Sequence, residues 1–529
     1  MHTRLYNRIT NLFLPCLVFS AITGFFTAIL TTGFKLLAEL VIHASTSVYS
    51  AVRENPVWLP ILVVSAAAIG LAAAFMRSLS HSIRGGGIPT SVAAIRGIFS
   101  FKWIPAILLL PIAALLTFLA GLPLGNEGPC VQMGTAVGDG VTKLIGSKKY
   151  KGWRRYIMTG GASAGFSIAT ASPISAIMFS IEELHKRFSP MLLSVASMSI
   201  AFAQITSLAL DYMGLPAMKL FEISEIPSIS LTLFFAPIII GLATGFFSII
   251  FTHLYHISDR IMHKALKKLK PMVVFPLLFA LTAIIGFLLT SGIGTGHSLV
   301  ASLLNGRTAW YLLILLLLIR AIAMMMANTS GATGGIFLPT LAFGAIVGAL
   351  CADGMIALGW IGDEHYTLMV VLGVTSFLGS TSRIPLTACI FAVEAFGGIN
   401  NIIPIVISAT VSLLIVESSG IEDLTDTLIE MKVHKITNGK KPVSVEVPLT
   451  VKEESFVFGK EIHDILWPNQ CVVVSFNRVD KSKKGLGLAA GDIITVHYNT
   501  YDAKETADEL IMLVGEQPAD TLRLMQASD

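Results

Sequence analysis

Charge is scarce in this sequence. Only 13% of its 529 residues are Asp, Glu, Lys or Arg, where a soluble chain carries about 25%, and that shortage excludes an ordinary soluble globular protein. Excess charge of one sign is also lacking: a net +4 over this length gives no argument for a nucleic-acid partner. The five cysteines, Cys16, Cys130, Cys351, Cys389 and Cys471, show no CxxC spacing. Neither a metal site nor a disulfide framework is expected from them. No cofactor and no catalytic nucleophile are indicated, so an intramembrane enzyme is a weak reading. A cleavable leader is not seen either, because the first apolar run is long and has no small-residue cleavage site near its end.

Long apolar runs dominate instead, with 54% hydrophobic residues. Leu12 to Val48, Pro56 to Met76, Ile104 to Leu124, Pro190 to Leu210, Leu231 to His256, Pro271 to Thr290 and Ala309 to Met326 approach or exceed the roughly 20 residues that span a bilayer. Leu341 to Leu358, Thr367 to Leu378, Pro385 to Phe396 and Asn401 to Val416 follow, and some fall short of a span. Short, interrupted helices are expected around a buried ion path. Basic stretches at Arg4 and Arg8, Lys143 to Arg155 and Asp259 to Lys270 read as cytoplasmic by the positive-inside rule.

Glu127 lies between glycines in Gly125-Asn126-Glu127-Gly128-Pro129, after the run ending at Leu124. A carboxylate at membrane depth is costly and by default marks an ion or proton path. Pro129 suits the first turn of a helix, whose free N–H groups favour an anion. Glu127 can be that anion, or a dissolved anion can replace it. Two more glycine turns precede or contain a proline: Gly85-Gly86-Gly87-Ile88-Pro89 and Gly334-Gly335-Ile336-Phe337-Leu338-Pro339. Converging interrupted segments are the mark of a transporter site.

These three turns, in this order, resemble the signatures of the CLC chloride channels and chloride/proton exchangers over roughly residues 10 to 430. The resemblance implies a polytopic α-helical membrane protein with an inverted-repeat CLC-type architecture, its halves meeting near residue 215. It implies a homodimer with one pore per subunit in the inner (plasma) membrane. Glu127 then corresponds to the external gating glutamate. Gly86, Gly87, Ile88, Asn126, Gly128, Ile336, Phe337 and Thr425 correspond to anion-binding positions. Glu183, the second of the pair Glu182-Glu183, corresponds to the glutamate that passes protons from the cytoplasm. Adjacent helix residues point about 100° apart, so Glu182 is expected to pack or pair locally. Glu183 has a plainer alternative as a surface carboxylate answering Lys186 or Arg187. Glu394 is expected to accept hydrogen bonds inside the bundle, and Arg320, Asn328 and Thr329 to pack and cap.

Three positions depart from the family pattern. Gly86 stands where serine is usual, Asn126 where arginine is usual, and Thr425 where a tyrosine usually closes the inner gate. Asparagine before the glutamate also occurs in the fluoride-exporting branch. The expected function is a proton-coupled chloride antiporter, with a fluoride/proton antiporter or a passive anion channel as alternatives.

Past residue 436 charge rises and strand patterns appear. Residues 1–430 are expected to form the transport domain, 431–441 a linker, and 442–529 a small cytoplasmic α+β domain. Val443 to Val447, Gln470 to Phe476 and Ile493 to Tyr498 read as strands, and Tyr501 to Leu513 as an amphipathic helix. The tail resembles the TrkA-C (RCK-C) subdomain of potassium-conductance regulators. That resemblance implies pairing across the dimer and a small ligand, such as a nucleotide; an assembly role alone is the competing reading.

Overall fold

The computed structural model describes residues 13–85, 87–99, 102–145, 152–215, 220–221, 226–397, 399–436, 442–468, 471–478, 487–500 and 503–515. The first half holds α1 (Leu14–Glu54), α2 (Leu59–Leu79), α3 (Ile88–Arg96), α4 (Trp103–Leu119), α5 (Glu127–Ile145), α6 (Arg154–Thr170), α7 (Pro173–Phe179) and α8 (Pro190–Tyr212). The second half holds α9 (Phe235–Lys268), α10 (Pro271–Leu288), α11 (His297–Asn305), α12 (Trp310–Ser330), α13 (Phe337–Ala357), α14 (Tyr366–Thr381), α15 (Pro385–Phe396) and α16 (Ile402–Ser418), and α17 (Leu424–Ile436) follows. Among the described residues, eight helical stretches are long and apolar enough to cross a membrane. This is a multi-pass membrane protein.

Each helix of the first half has its counterpart eight places on. The short helices α3 and α11 are both nine residues long. Helix α5 packs on α6 as α13 packs on α14, and α1 on α8 as α9 on α16. The halves join at their centres through an antiparallel bridge. Gly125 N–H donates to Gly335 O at 2.6 Å, and Gly335 N–H to Gly125 O at 2.7 Å. The fold is the inverted-repeat helical architecture that the sequence pointed to.

A short residue-level repeat underlies this symmetry. Pro129, Gly134 and Gly138 of α5 recur as Pro339, Gly344 and Gly348 of α13. A methyl group on Gly134 would stand 2.0 Å from the carbonyl oxygen of Gly161, and one on Gly344 2.5 Å from that of Gly373. Backbones meet at both places. Such contact is how helices associate in lipid, where burial of apolar surface gives no net driving force.

Two helices outrun their apolar stretches. Helix α1 continues past Val48 to Glu54, and α9 past His256 to Lys268. The basic segment from Asp259 is therefore mostly helix. Apolarity reports the membrane's thickness, whereas the helix ends only where Asn55 and Leu269 leave helical geometry.

The tail is an α+β unit. Strands β1 (Val443–Thr450), β2 (Cys471–Asn477) and β3 (Ile493–Thr500) form an antiparallel sheet in the order β1-β3-β2. Strand β1 is an edge, which tolerates Pro448. Helix α18 (Ala503–Val514) covers one face, with Leu510 and Leu513 against Val447, Leu449, Ile494 and Val496. The unit docks on the start of α6. Arg155 Nη2 reaches Glu509 Oε2 at 2.8 Å, and the Tyr156 hydroxyl donates to Asp464 O at 2.8 Å while accepting from Leu466 N. Phe456 wedges between Trp153 and Tyr156.

Candidate functional site

Glycine makes the centre of the site possible. Gly87 has φ of 121°, a conformation that side chains disfavour. A methyl on Gly128 would lie 2.7 Å from Gly335 Cα and 3.0 Å from Gly87 Cα. The starts of α3, α5 and α13 thus converge with backbone against backbone. Ile88 opens α3, Gly128 lies in the first turn of α5, and Ile336 and Phe337 open α13. Gly86 lies outside the described residues. The Gly87 amide is already engaged, donating to Gln132 Oε1 at 2.7 Å. Gln132 in turn donates to Ser82 O. That residue was not singled out from sequence, although a glutamine one turn inside α5 was visible there.

Glu127 is completely buried. Its carboxylate folds back over Gly125, toward Leu338 and Pro339 at the start of α13. The backbone amides of Glu127 and Leu338 face it without closing well-aligned hydrogen bonds, so both oxygens are left without a partner. A carboxyl group therefore occupies the point where two helix N-termini meet, which is where a dissolved anion would be stabilised. Beside it, Asn126 is neutral, and its buried Oδ1 also has no partner.

Glu183 and Glu182 part company as their directions require. Both lie in a π-helical turn, Ser180–His185, which follows α7. Glu183 is only 2% exposed and accepts a hydrogen bond from the Thr425 hydroxyl at the start of α17. It is not the surface carboxylate of the plainer alternative. Lys186 instead pairs with Asp423 and Asp426. Thr425, expected to face an anion, here gives its hydroxyl to Glu183. Arg96 fixes the turn from α3, donating to the carbonyls of Glu183 and Leu184 and to Asp426 Oδ1 at 2.9, 3.0 and 2.9 Å.

Glu182 turns away to the other repeat. It accepts from Leu386 N, Thr387 N and Thr387 Oγ1 at 3.1, 2.7 and 2.7 Å, capping α15. Its partners are distant in sequence rather than local. Glu394 does the same in reverse, accepting from Ile174 N and Ser175 N at 2.9 and 2.8 Å, capping α7. The two carboxylates are counterparts in the repeat, each completing the other half's helix. Arg320 is structural as expected, donating to the carbonyls of Ser291, Ile293 and Gly294.

A cavity of about 120 Å³ adjoins the first and third turns, lined by Ile88 and Ile336 together with Arg77, Arg84, Lys432 and Lys435. Lys435 is paired with Asp259 at 2.6 Å, and Lys432 bonds Thr90 Oγ1 at 2.6 Å and Arg84 O at 3.0 Å. Positive walls suit an anion's approach. Lys432 and Arg84 were not picked out from sequence; only the fold brings them together.

Known proteins resemble this chain in sequence and fold. Residues 69–417 match the family described as voltage gated chloride channel. The chain is 26% identical over 422 residues to an H(+)/Cl(-) exchange transporter ClcA of Vibrio campbellii, covering 78% of this chain and 88% of that one. It is 24% identical to the protein of that name from Klebsiella pneumoniae, covering 80% and 90%. Among solved structures, a slow cyanobacterial Cl-/H+ antiporter superposes with a TM-score of 0.70 at 22% identity, over 79% of this chain and 98% of that one. A CLC-type fluoride/proton antiporter superposes with a TM-score of 0.63 at 20% identity, over 77% and 96%. With a family match over well more than half its length and the same fold, the chain belongs to the voltage-gated chloride channel family.

Proposed function

We propose that this protein is a proton-coupled anion antiporter whose principal substrate is chloride. The observation that carries the reading is the buried Glu127 carboxylate at the meeting of two helix N-termini. Ionised, it occupies the anion's place; protonated, it loses its attraction for the amides and leaves that place to the anion. One side chain thereby serves both ions. Glu183, held by Thr425 at another point of the fold, passes protons from the cytoplasm. Gly87, Ile88, Asn126, Gly128, Ile336 and Phe337 line the anion's path, with the amides of Ile336 and Phe337 as the main contacts, while Thr425 serves Glu183. The chloride/proton exchangers among its relatives support this assignment.

The second reading is a fluoride/proton antiporter, favoured by Asn126, which leaves the seat without an adjacent guanidinium. We further propose a homodimer in the plasma membrane with one pore per subunit. The transport domain takes in α17 as far as Ile436, whose Lys432 and Lys435 bond Thr90 and Asp259, so the linker expected at 431–441 begins later; residues 442–529 are a cytoplasmic TrkA-C-like domain that pairs across the dimer and binds a small ligand such as a nucleotide.

The deciding experiment is flux in liposomes with chloride, fluoride and nitrate in parallel. An anion gradient should drive protons uphill, and Glu127→Gln should abolish that coupling and make anion flux insensitive to pH. Anion flux with no proton movement in the native protein would make it a channel. Coupling retained in the variant would remove Glu127 from the mechanism.

A further inference from the structure

Lys35 is buried near the middle of the 41-residue α1, with 9% of its surface exposed. An ammonium at membrane depth marks function more often than packing. Its Nζ lies 3.4 Å from the carbonyl of Ile168 in the last turn of α6, the negative end of that helix. Its neighbours Phe34 and Ala38 pack with Cys130 and Met133 of α5 and with Ala169 of α6. The lysine is thus wedged between the first turns of α5 and the end of α6. The titratable groups on the elements packed around it are Glu127 and Cys130 from α5 and Glu39 from α1 itself, while α6 presents the Ile168 carbonyl. Cys130, against which the neighbours of Lys35 pack, shares the first turn of α5 with Glu127. Asn126, the residue next to it, carries no charge.

We infer that Lys35 is a positioning residue for transport: from α1 it supplies the positive charge that favours ionised Glu127 and balances the anion that replaces it. The inference rests on the antiport reading. Without the ammonium, the ionised carboxylate is less favoured, so the gate opens by protonation at higher pH.

The test is the pH profile of chloride flux in liposomes. Lys35→Gln should move the midpoint to higher pH by on the order of one unit, the effect of one opposite charge near a carboxylate. Lys35→Arg should leave it in place. In a Glu127→Gln background, Lys35→Gln should move nothing. Asn126→Lys in the otherwise native chain, which does not depend on Lys35→Gln folding, should move the midpoint to lower pH, and in the Lys35→Gln background it should restore it. A midpoint unmoved by Lys35→Gln, an equal shift with and without Glu127, or no response to Asn126→Lys would overturn the inference. Failure of the antiport reading would show separately, as coupling intact in Glu127→Gln.

Discussion

Gly128→Ala should both loosen the protein and empty its anion seat. The new methyl would stand 2.7 Å from Gly335 Cα and 3.0 Å from Gly87 Cα. Carbon atoms rest about 3.5–4.0 Å apart, so the turns must part by about 1 Å. Both obstacles are backbone and cannot rotate away. The bridge between Gly125 and Gly335, with bonds of 2.6 and 2.7 Å, is then stretched beyond the hydrogen-bond range of about 3.2 Å. Two lost bonds at about 1 kcal/mol each, plus about 1–3 kcal/mol of overpacking, give a loss of roughly 3–5 kcal/mol. The same movement draws the Leu338 amide away from the seat. Chloride affinity should fall about tenfold, the worth of one hydrogen bond to a charged group. Thermal unfolding in detergent and chloride calorimetry measure the two effects. Gly354→Ala is the control, because its methyl meets nothing within 4 Å inside α13; it should be neutral or stabilising by up to about 1 kcal/mol. A Gly128→Ala protein that melts and binds chloride like the native one would refute the argument.

Glu183→Gln should block proton flux while allowing some anion flux. Glu182→Gln should retain coupling but cost about 1–3 kcal/mol of stability, because a carboxylate with three donors becomes an amide; the reverse pattern of coupling would place the proton path on the other residue. Deleting the chain after Asn438 leaves Arg155 without Glu509, and flux should change in rate or regulation. Unchanged transport, with an isolated tail that binds no nucleotide by calorimetry, would leave assembly as the tail's role. Burial against Trp153 and Phe456 holds the Lys460 ammonium down to about 7, against an ordinary value of about 10.4. The undocked tail binds more protons across that window, so docking should strengthen as pH rises from about 7 toward 10 and be weakest in acid. Limited proteolysis of the full chain at pH 6 and pH 9 reads this out; equal cleavage at both, or the same trend in Lys460→Met, would contradict it.

The buried carboxyl and the helix starts around it were legible because their chemistry is singular. A carboxylate at membrane depth and prolines just inside helix starts have few other uses, so Glu127, Pro129 and Pro339 announced themselves. The strands of the tail were legible from their period, with Val443, Cys471 and Ile493 starting within a residue of expectation. What stayed hidden depends on contacts that no local pattern encodes. Glu182 meets Thr387, and Glu394 meets Ser175, only after the two halves fold together. Lys35 is one polar residue in a long apolar run, and its place beside α5 comes from packing. Thr425 was expected to face an anion; its hydrogen bond to Glu183 needed the geometry of α17. The repeat itself survives as two glycines and a proline, too little to stand out without the close approaches that require them.

The exchange of caps between Glu182 and Glu394 also bears on how the protein is made. When α7 leaves the ribosome, the amides of Ile174 and Ser175 have no acceptor, because theirs is about 219 residues downstream. At about 5–20 residues per second, that acceptor arrives roughly 10–40 s later. Through that interval the first half sits in the bilayer with a helix start unfinished and a carboxylate, Glu182, without its amides. Neither half is a self-sufficient insertion unit: a chain stopped before Leu386 would be left holding both defects, and one stopped between Thr387 and Glu394 would keep the unfinished start of α7. Nascent chains arrested on either side of Glu394 should therefore differ sharply in their survival against membrane proteases.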